Sequence, residues 1–150
     1  MRLALFEPDI PQNTGTLMRL CACLGVPLDI IEPCGFLLTD KNLKRAGMDY
    51  LERLEMTRHM NWQAFTGARA NARLVLMTTK AETSFVDFKF GKDDVLIAGR
   101  ESAGVPESVH QACAHRVIVP MVEGVRSINV AVASSIVLSE ALRQTGLFPR

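Results

Sequence analysis

Val117-Ile118-Val119-Pro120 leads into Met121-Val122-Glu123-Gly124-Val125-Arg126, then into Ser127-Ile128-Asn129 and an apolar run that ends near Gln144. The first four residues are a β-branched run stopped by proline, the signature of a short buried strand. Pro120 and Gly124 make the middle a loop. From Ile128 to Gln144 there is neither Pro nor Gly, and Gly146 stands just beyond as a C-terminal stop. Ser127 is the expected N-cap, its hydroxyl accepting from an unpaired N–H of the first turn. Between Ile128 and Leu138 the only polar side chains are Asn129, Ser134 and Ser135. Such a helix needs cover on more than one side. Asn129 then reads either as a second capping residue or as a group aimed at a ligand, and the pattern alone favours the cap.

Upstream, continuous apolar runs alternate with helical patterns. Leu3–Phe6, Leu28–Ile31, Leu74–Met77 and Val95–Ala98 read as buried strands, and Leu54–Thr57 as an exposed or edge strand. Pro8 and Pro11 are expected to keep the residues after them out of helix. Asn13 or Thr14 then caps a helix from Gly15 to Leu24, and Asn61 caps one from Trp62 to Ala70. A short helix is expected from Lys41 to Ala46, and Pro106 suits the first position of another that runs to about Ala112. The pattern predicts an α/β fold: a parallel sheet with helices on both faces, in one domain spanning residues 1–150.

In such sheets ligands bind outside the carboxyl ends of the strands. Three loops fall there: Glu7–Thr14, Gly99–Val105 and Pro120–Ser127. None carries the phosphate-loop or dinucleotide glycine pattern. Gly99-x-Glu101-x-x-Gly104 either lets backbone approach a ligand at both glycines or is plain turn chemistry.

Composition excludes several classes. Hydrophobic residues make up 48% and charged residues 22%, an ordinary globular balance, with a net charge of +1. Residues 1–75 hold nine Lys/Arg against eight Asp/Glu, and residues 76–150 eight against eight, so bulk charge announces no nucleic-acid partner. Cys21, Cys23, Cys34 and Cys113 form no Cys-x-x-Cys pair, so reduced thiols in a cytoplasmic chain are expected, with no metal. No leader is expected from Arg2–Phe6, and no apolar run reaches membrane-spanning length. His59, His110 and His115 do not cluster and read as surface or helix-end residues. Trp62 reads as core. Lys41, Lys44 and Arg45 form a basic turn, either a solvated face or a phosphate contact.

Taken together the three loops resemble a known family. Ile10-Pro11-Gln12-Asn13-Thr14-Gly15-Thr16-Leu17-Met18-Arg19 resembles the first motif of the SPOUT superfamily of RNA 2′-O-ribose methyltransferases. Gly99-Arg100-Glu101-Ser102-Ala103-Gly104-Val105-Pro106 resembles the second. Ile118-Val119-Pro120-Met121 with Arg126-Ser127-Ile128-Asn129-Val130-Ala131 resembles the third. Ile31-Glu32-Pro33, Arg45-Ala46-Gly47-Met48-Asp49-Tyr50 and Thr57-Arg58-His59 resemble the small TrmL-like branch, the tRNA (cytidine/uridine) wobble-position 2′-O-methyltransferases.

The resemblance implies a C-terminal segment threaded as a trefoil knot and an obligate homodimer. It implies S-adenosylmethionine as cofactor, contacted by Met77, Gly99, Val119 and Ser127. Asn13, Arg19, Glu101 and Asn129 would be the catalytic polar residues near the reacting ribose. The implied partner is a tRNA anticodon stem-loop, with leucine isoacceptors expected, and neither metal nor membrane. One departure is Ser139, where the branch often carries tyrosine. The rival readings are a non-catalytic RNA-binding or assembly protein on the same fold and a small-molecule methyltransferase. The joint presence of Arg19, Glu101 and Asn129 argues against a dead scaffold.

Overall fold

The computed structural model describes residues 1–39, 41–42 and 51–150. The strands are β1 (Arg2–Phe6), β2 (Leu28–Ile31), β3 (Met56–His59), β4 (Leu74–Met77), β5 (Val95–Ala98) and β6 (His115–Val117). The fully described helices are α1 (Pro11–Leu24), α2 (Trp62–Ala68), α3 (Glu107–Ala112) and α4 (Val130–Thr145), with a 3-10 turn at Leu51–Arg53. Of the expected helix Lys41–Ala46 only Lys41 and Asn42 are described; its remainder, Lys44 and Arg45 of the basic turn, and the Arg45–Tyr50 stretch lie outside the described residues.

All pairings are parallel, in the order β3-β2-β1-β5-β4-β6. Strand residues alternate between the two faces. Leu3, Leu5, Leu28, Ile30, Val75, Leu96 and Val117 pack on one face with Leu17, Met18 and Cys21 of α1 and Val137, Leu138 and Ala141 of α4. Ala4, Phe6, Leu76, Val95 and Ile97 pack on the other with Phe65 of α2 and Val109 of α3. Both faces are therefore buried, which is why these strands read as unbroken apolar runs rather than alternating ones.

Strand order reverses between β1 and β5. Open parallel sheets form a crevice at such a place; here the loops after β1 and β5 are tied together across it by bonds between Asp9 and Glu101. The chain after β4 folds back along the outer side of β6, where Ile118 N–H donates to Thr83 and Phe85 N–H to Ile118.

Several local expectations needed correction. Pro11 does not hold off the first helix but opens it: Ile10 is the N-cap, without a side-chain cap bond, and Pro sits where no N–H is needed. Asn13 and Thr14 are thus inside α1. The last strand is His115–Val117 rather than Val117–Pro120. Ser127 does not cap the final helix. Asn129 does, its Oδ1 accepting from the N–H groups of Ala131 and Val132 at 2.9 and 3.3 Å. Gly146 ends that helix with φ +68°. Asn61 caps α2 by accepting from Ala64 N–H at 2.8 Å.

His59 is not a surface residue. It is 6% exposed and bonds Asp29 of the neighbouring strand at 3.0 Å. Asp29 is fully buried and also receives Arg2 at 3.0 Å and both nitrogens of the Arg69 fork at 3.1 and 2.8 Å. Burial pushes its carboxyl up, but the bonds from Arg69, His59 and Arg2 outweigh that and leave it below the usual carboxylate range.

Candidate active site

A cavity of about 430 Å³ opens at the carboxyl ends of β4, β5 and β6, within the range of small-ligand and cofactor sites. Leu76, Met77, Val117, Ile118, Val119 and Ile128 give it apolar walls. Its polar rim includes Asn13, Thr78, Glu101, Ser102, Ser127 and Asn129. Met77, Gly99, Val119 and Ser127, four positions far apart in the chain, all line it. So do Asn13, Glu101 and Asn129. Arg19 does not stand among the lining residues; it is exposed on α1. Because α1 begins at Pro11, Arg19 is six residues, about 9 Å of helix rise, beyond Asn13.

The polar rim is a connected chain. Asn129 Nδ2 donates to Asn13 Oδ1 at 2.9 Å, and Asn13 Nδ2 donates to Glu101 Oε1 at 3.3 Å. Glu101 Oε2 accepts from the backbone N–H of Asp9 at 2.9 Å and of Ile10 at 3.3 Å. In return Asp9 Oδ1 accepts from Glu101 N–H at 3.1 Å, and its Oδ2 accepts from the Ser102 hydroxyl. Burial, then the adjoining Asp9, raises the Glu101 carboxyl above its ordinary value. Asp9 is held low by its bonds to Glu101 and Ser102. The Arg100 guanidinium pairs with Glu7 and lies 5.7 Å over the Phe6 ring. Glu7 holds φ +43°, an uncommon conformation for a non-glycine residue, opposite that pairing.

The two glycines of the β5 loop do different things, and for the loop itself. A Cβ on Gly99 would meet the Gly104 carbonyl carbon and Cα at 2.9 Å, so Gly99 is needed to let Gly104 close over it. Two backbone bonds between Arg100 and Gly104 fix that closure. Gly104 holds φ +64° with open space where a Cβ would stand. Both glycines thus serve the turn, and both also line the cavity.

Sequence reasoning passed over Asp9 and Ser102. The signal available for Asp9 was its place between Pro8 and Pro11 in the first of the three loops. Its contact with Glu101 joins residues 92 apart, which no local pattern shows. Among the described residues no three His, Cys, Asp or Glu side chains gather to hold a metal ion, and no helix is long and apolar enough to cross a membrane.

An all-parallel sheet with a largely apolar cavity at the carboxyl ends of its strands, beside an amide–carboxylate chain, defines an α/β ligand-binding domain. Residues 1–139 match the SpoU rRNA methylase family, and the chain belongs to it. It is 54% identical over 146 residues to a tRNA (cytidine(34)-2′-O)-methyltransferase of Beijerinckia indica subsp. indica, covering 96% of this chain and 91% of that one. It is 42% identical over 148 residues to the protein of that name from Escherichia coli K12, covering 97% and 94%. Among solved structures, one from work on 2-OH methylation of C/U34 on tRNA superposes with a TM-score of 0.89 at 41% identity, covering 95% and 94%. The SpoU methyltransferase AviRb from Streptomyces viridochromogenes, in complex with AdoMet, gives 0.83 at 25% identity, covering 96% and 60%.

Proposed function

We propose that this chain transfers a methyl group from S-adenosylmethionine to the ribose 2′-oxygen of the wobble nucleotide of tRNA, a cytidine or a modified uridine at position 34. The observation that carries the reading is the cavity. Residues from β4, β5, β6 and the approach to α4 form an apolar slot, and the polar chain Asn129–Asn13–Glu101 runs along its rim. The relatives at 54% and 42% identity, matched over nearly their whole length, bear the name of this activity.

The site fits the cofactor. The walls at Leu76, Met77, Val119 and Ile128 suit an adenine ring, and the backbone beside Gly99 and Ser127 supplies polar partners. When bound, the cofactor supplies an activated methyl on a sulfonium centre, so the protein's work is to position and to exclude water. Asn129 and Asn13 orient the carboxyl of Glu101. Arg19, outside the cavity, is read as a group for the RNA: a guanidinium is a poor base but a good bidentate partner for ribose-phosphate oxygens. The trefoil knot, the leucine isoacceptors and a cytoplasmic location belong to this same proposal.

A homodimer is part of it. Val137 is fully buried in the chain's own core, so the face left for a partner copy is that of Val132, which is 49% exposed. Val132→Glu is expected to split the dimer in light scattering without unfolding the chain; an unchanged dimer would place the interface elsewhere. Calorimetric titration with S-adenosylmethionine tests the cofactor reading: binding to the purified protein is expected, and absence of heat and of thermal stabilisation contradicts it.

A further inference from the structure

We propose that Asp9 is a positioning residue that holds Glu101 in place as the acceptor of the ribose hydroxyl proton, an inference that rests on the methyltransferase reading above. The loops that follow β1 and β5 are laced together by reciprocal bonds. Asp9 N–H donates to Glu101 Oε2 while Glu101 N–H donates to Asp9 Oδ1, at 2.9 and 3.1 Å. Ser102 donates to the second Asp9 oxygen, and Arg100 pairs with Glu7 two residues before Asp9. From behind, Gly35 closes on Asp9: a Cβ there would stand 2.7 Å from Asp9 Cβ and 3.0 Å from its Cα. Asp9 therefore has no room to retreat from Glu101.

This arrangement leaves one oxygen of Glu101 available. Oε2 already accepts two backbone N–H groups, from Asp9 and Ile10. Among the described residues, Oε1 accepts only from Asn13 Nδ2, at 3.3 Å, and a carboxylate oxygen has room for a second donor. Glu101 lines the cavity, so a ribose hydroxyl seated at its mouth meets Oε1. In the balanced step the ribose oxygen gains the methyl carbon, the sulfonium sulfur keeps the bonding pair, and the hydroxyl proton passes to Glu101 Oε1.

A second carboxylate beside the acceptor makes it a better one. Two like charges in one place raise the proton affinity of the more buried partner. Burial and Asp9 both push Glu101 up, while Asp9 is held down by its bonds to Glu101 and Ser102, so of the two carboxylates Glu101 has the higher affinity for an incoming proton. Cys34, on the loop after β2, feels the Glu101 charge, and burial above all raises its thiol to about 11, so it stays neutral and adds no charge beside Glu101. Arg100, on the same loop as Glu101, is paired with Glu7.

Asp9→Asn separates charge from geometry. Its amide oxygen still accepts from Glu101 N–H, but the neighbouring charge is gone. Single-turnover methylation of tRNA is measured against pH for both proteins, beside calorimetric titration with S-adenosylmethionine and urea unfolding. The acid limb of the Asp9→Asn profile is expected to move down by roughly half a pH unit or more, with cofactor affinity and unfolding midpoint unchanged. Superimposable profiles would overturn the proposal while leaving the methyltransferase reading intact, since that stands on transfer by the wild-type protein. If Asp9→Asn does not fold, carbon-13 NMR titration of the wild-type protein, with Glu101 assigned through Glu101→Gln, decides the matter. Asp9 and Glu101 titrating as a coupled pair, with Glu101 above its ordinary 4.5, supports the assignment; a Glu101 carboxyl that titrates independently of Asp9, or at or below 4.5, overturns it.

Discussion

Asn129 and Asn13, 116 residues apart, share one hydrogen bond of 2.9 Å that fixes the orientation of both amides. Asn129 turns its oxygen to the first N–H groups of α4 and its nitrogen to Asn13. Asn13 turns its oxygen to Asn129, which leaves its nitrogen for Glu101. The start of α1, the start of α4 and the β5 loop are thereby set against one another at the rim of the cavity.

The two duties of Asn129 separate by substitution. Asn129→Asp retains an oxygen for the Ala131 and Val132 N–H groups and adds a charge favourable at a helix N-terminus, but it has no proton for Asn13. It is expected to stay within about 0.5 kcal/mol of wild type in urea unfolding and to lose roughly tenfold or more in methyl transfer. Asn129→Ala should lose both, with stability down by about 1 kcal/mol. Full activity in Asn129→Asp would show that the bond to Asn13 has no part in transfer.

Arg19 is exposed on α1 and outside the cavity wall, so it should not affect the cofactor. Arg19→Ala and Arg19→Lys are both expected to keep wild-type S-adenosylmethionine affinity by calorimetry. Both should lower single-turnover methylation of tRNA by about a hundredfold, the scale of losing one charge-stabilising donor. Lysine keeps the charge but not the fork, so a substantial rescue by Arg19→Lys would point to charge alone. Wild-type transfer by Arg19→Ala would remove the residue from the reaction.

The buried Asp29 carries a pH signature. Its carboxyl lies below the usual 3.8 because Arg69, His59 and Arg2 together outweigh burial. A depressed carboxylate contributes stability that is fully present above the unfolded-state value and disappears as pH falls through the lower folded-state value. Asp29→Asn should therefore cost about 3 kcal/mol at neutral pH, with the penalty shrinking once pH drops below about 3.8. Urea titrations of both proteins at neutral and acid pH measure the difference; a penalty independent of pH would rule out charge as its source.

What could be read from the sequence follows from how local each signal is. Leu28–Ile31 and Val95–Ala98 were plain because strands buried on both faces are apolar at every position, with Asp29 the exception whose meaning was hidden. Asp29 needs Arg2, His59 and Arg69, brought from β1, β3 and the end of α2 by the sheet order, and no spacing shows that. The start of α1 was misplaced because Pro11 was read as a barrier, although the first position of a helix has no N–H to lose. Ser127 and Asn129 are both good caps in isolation, and the bond to Asn13 selects Asn129. The cavity residues Met77, Gly99, Val119 and Ser127 came from the family motifs. Periodicity placed their loops at one end of the sheet but not around one pocket.

The most direct test is transfer of labelled methyl from S-adenosylmethionine to tRNA by the purified protein, with the product digested and the modified nucleotide located. The account predicts label on the ribose 2′-oxygen of nucleotide 34, in a full tRNA or an anticodon stem-loop. Label elsewhere in the RNA, on a base, or on no RNA at all despite cofactor binding would contradict it.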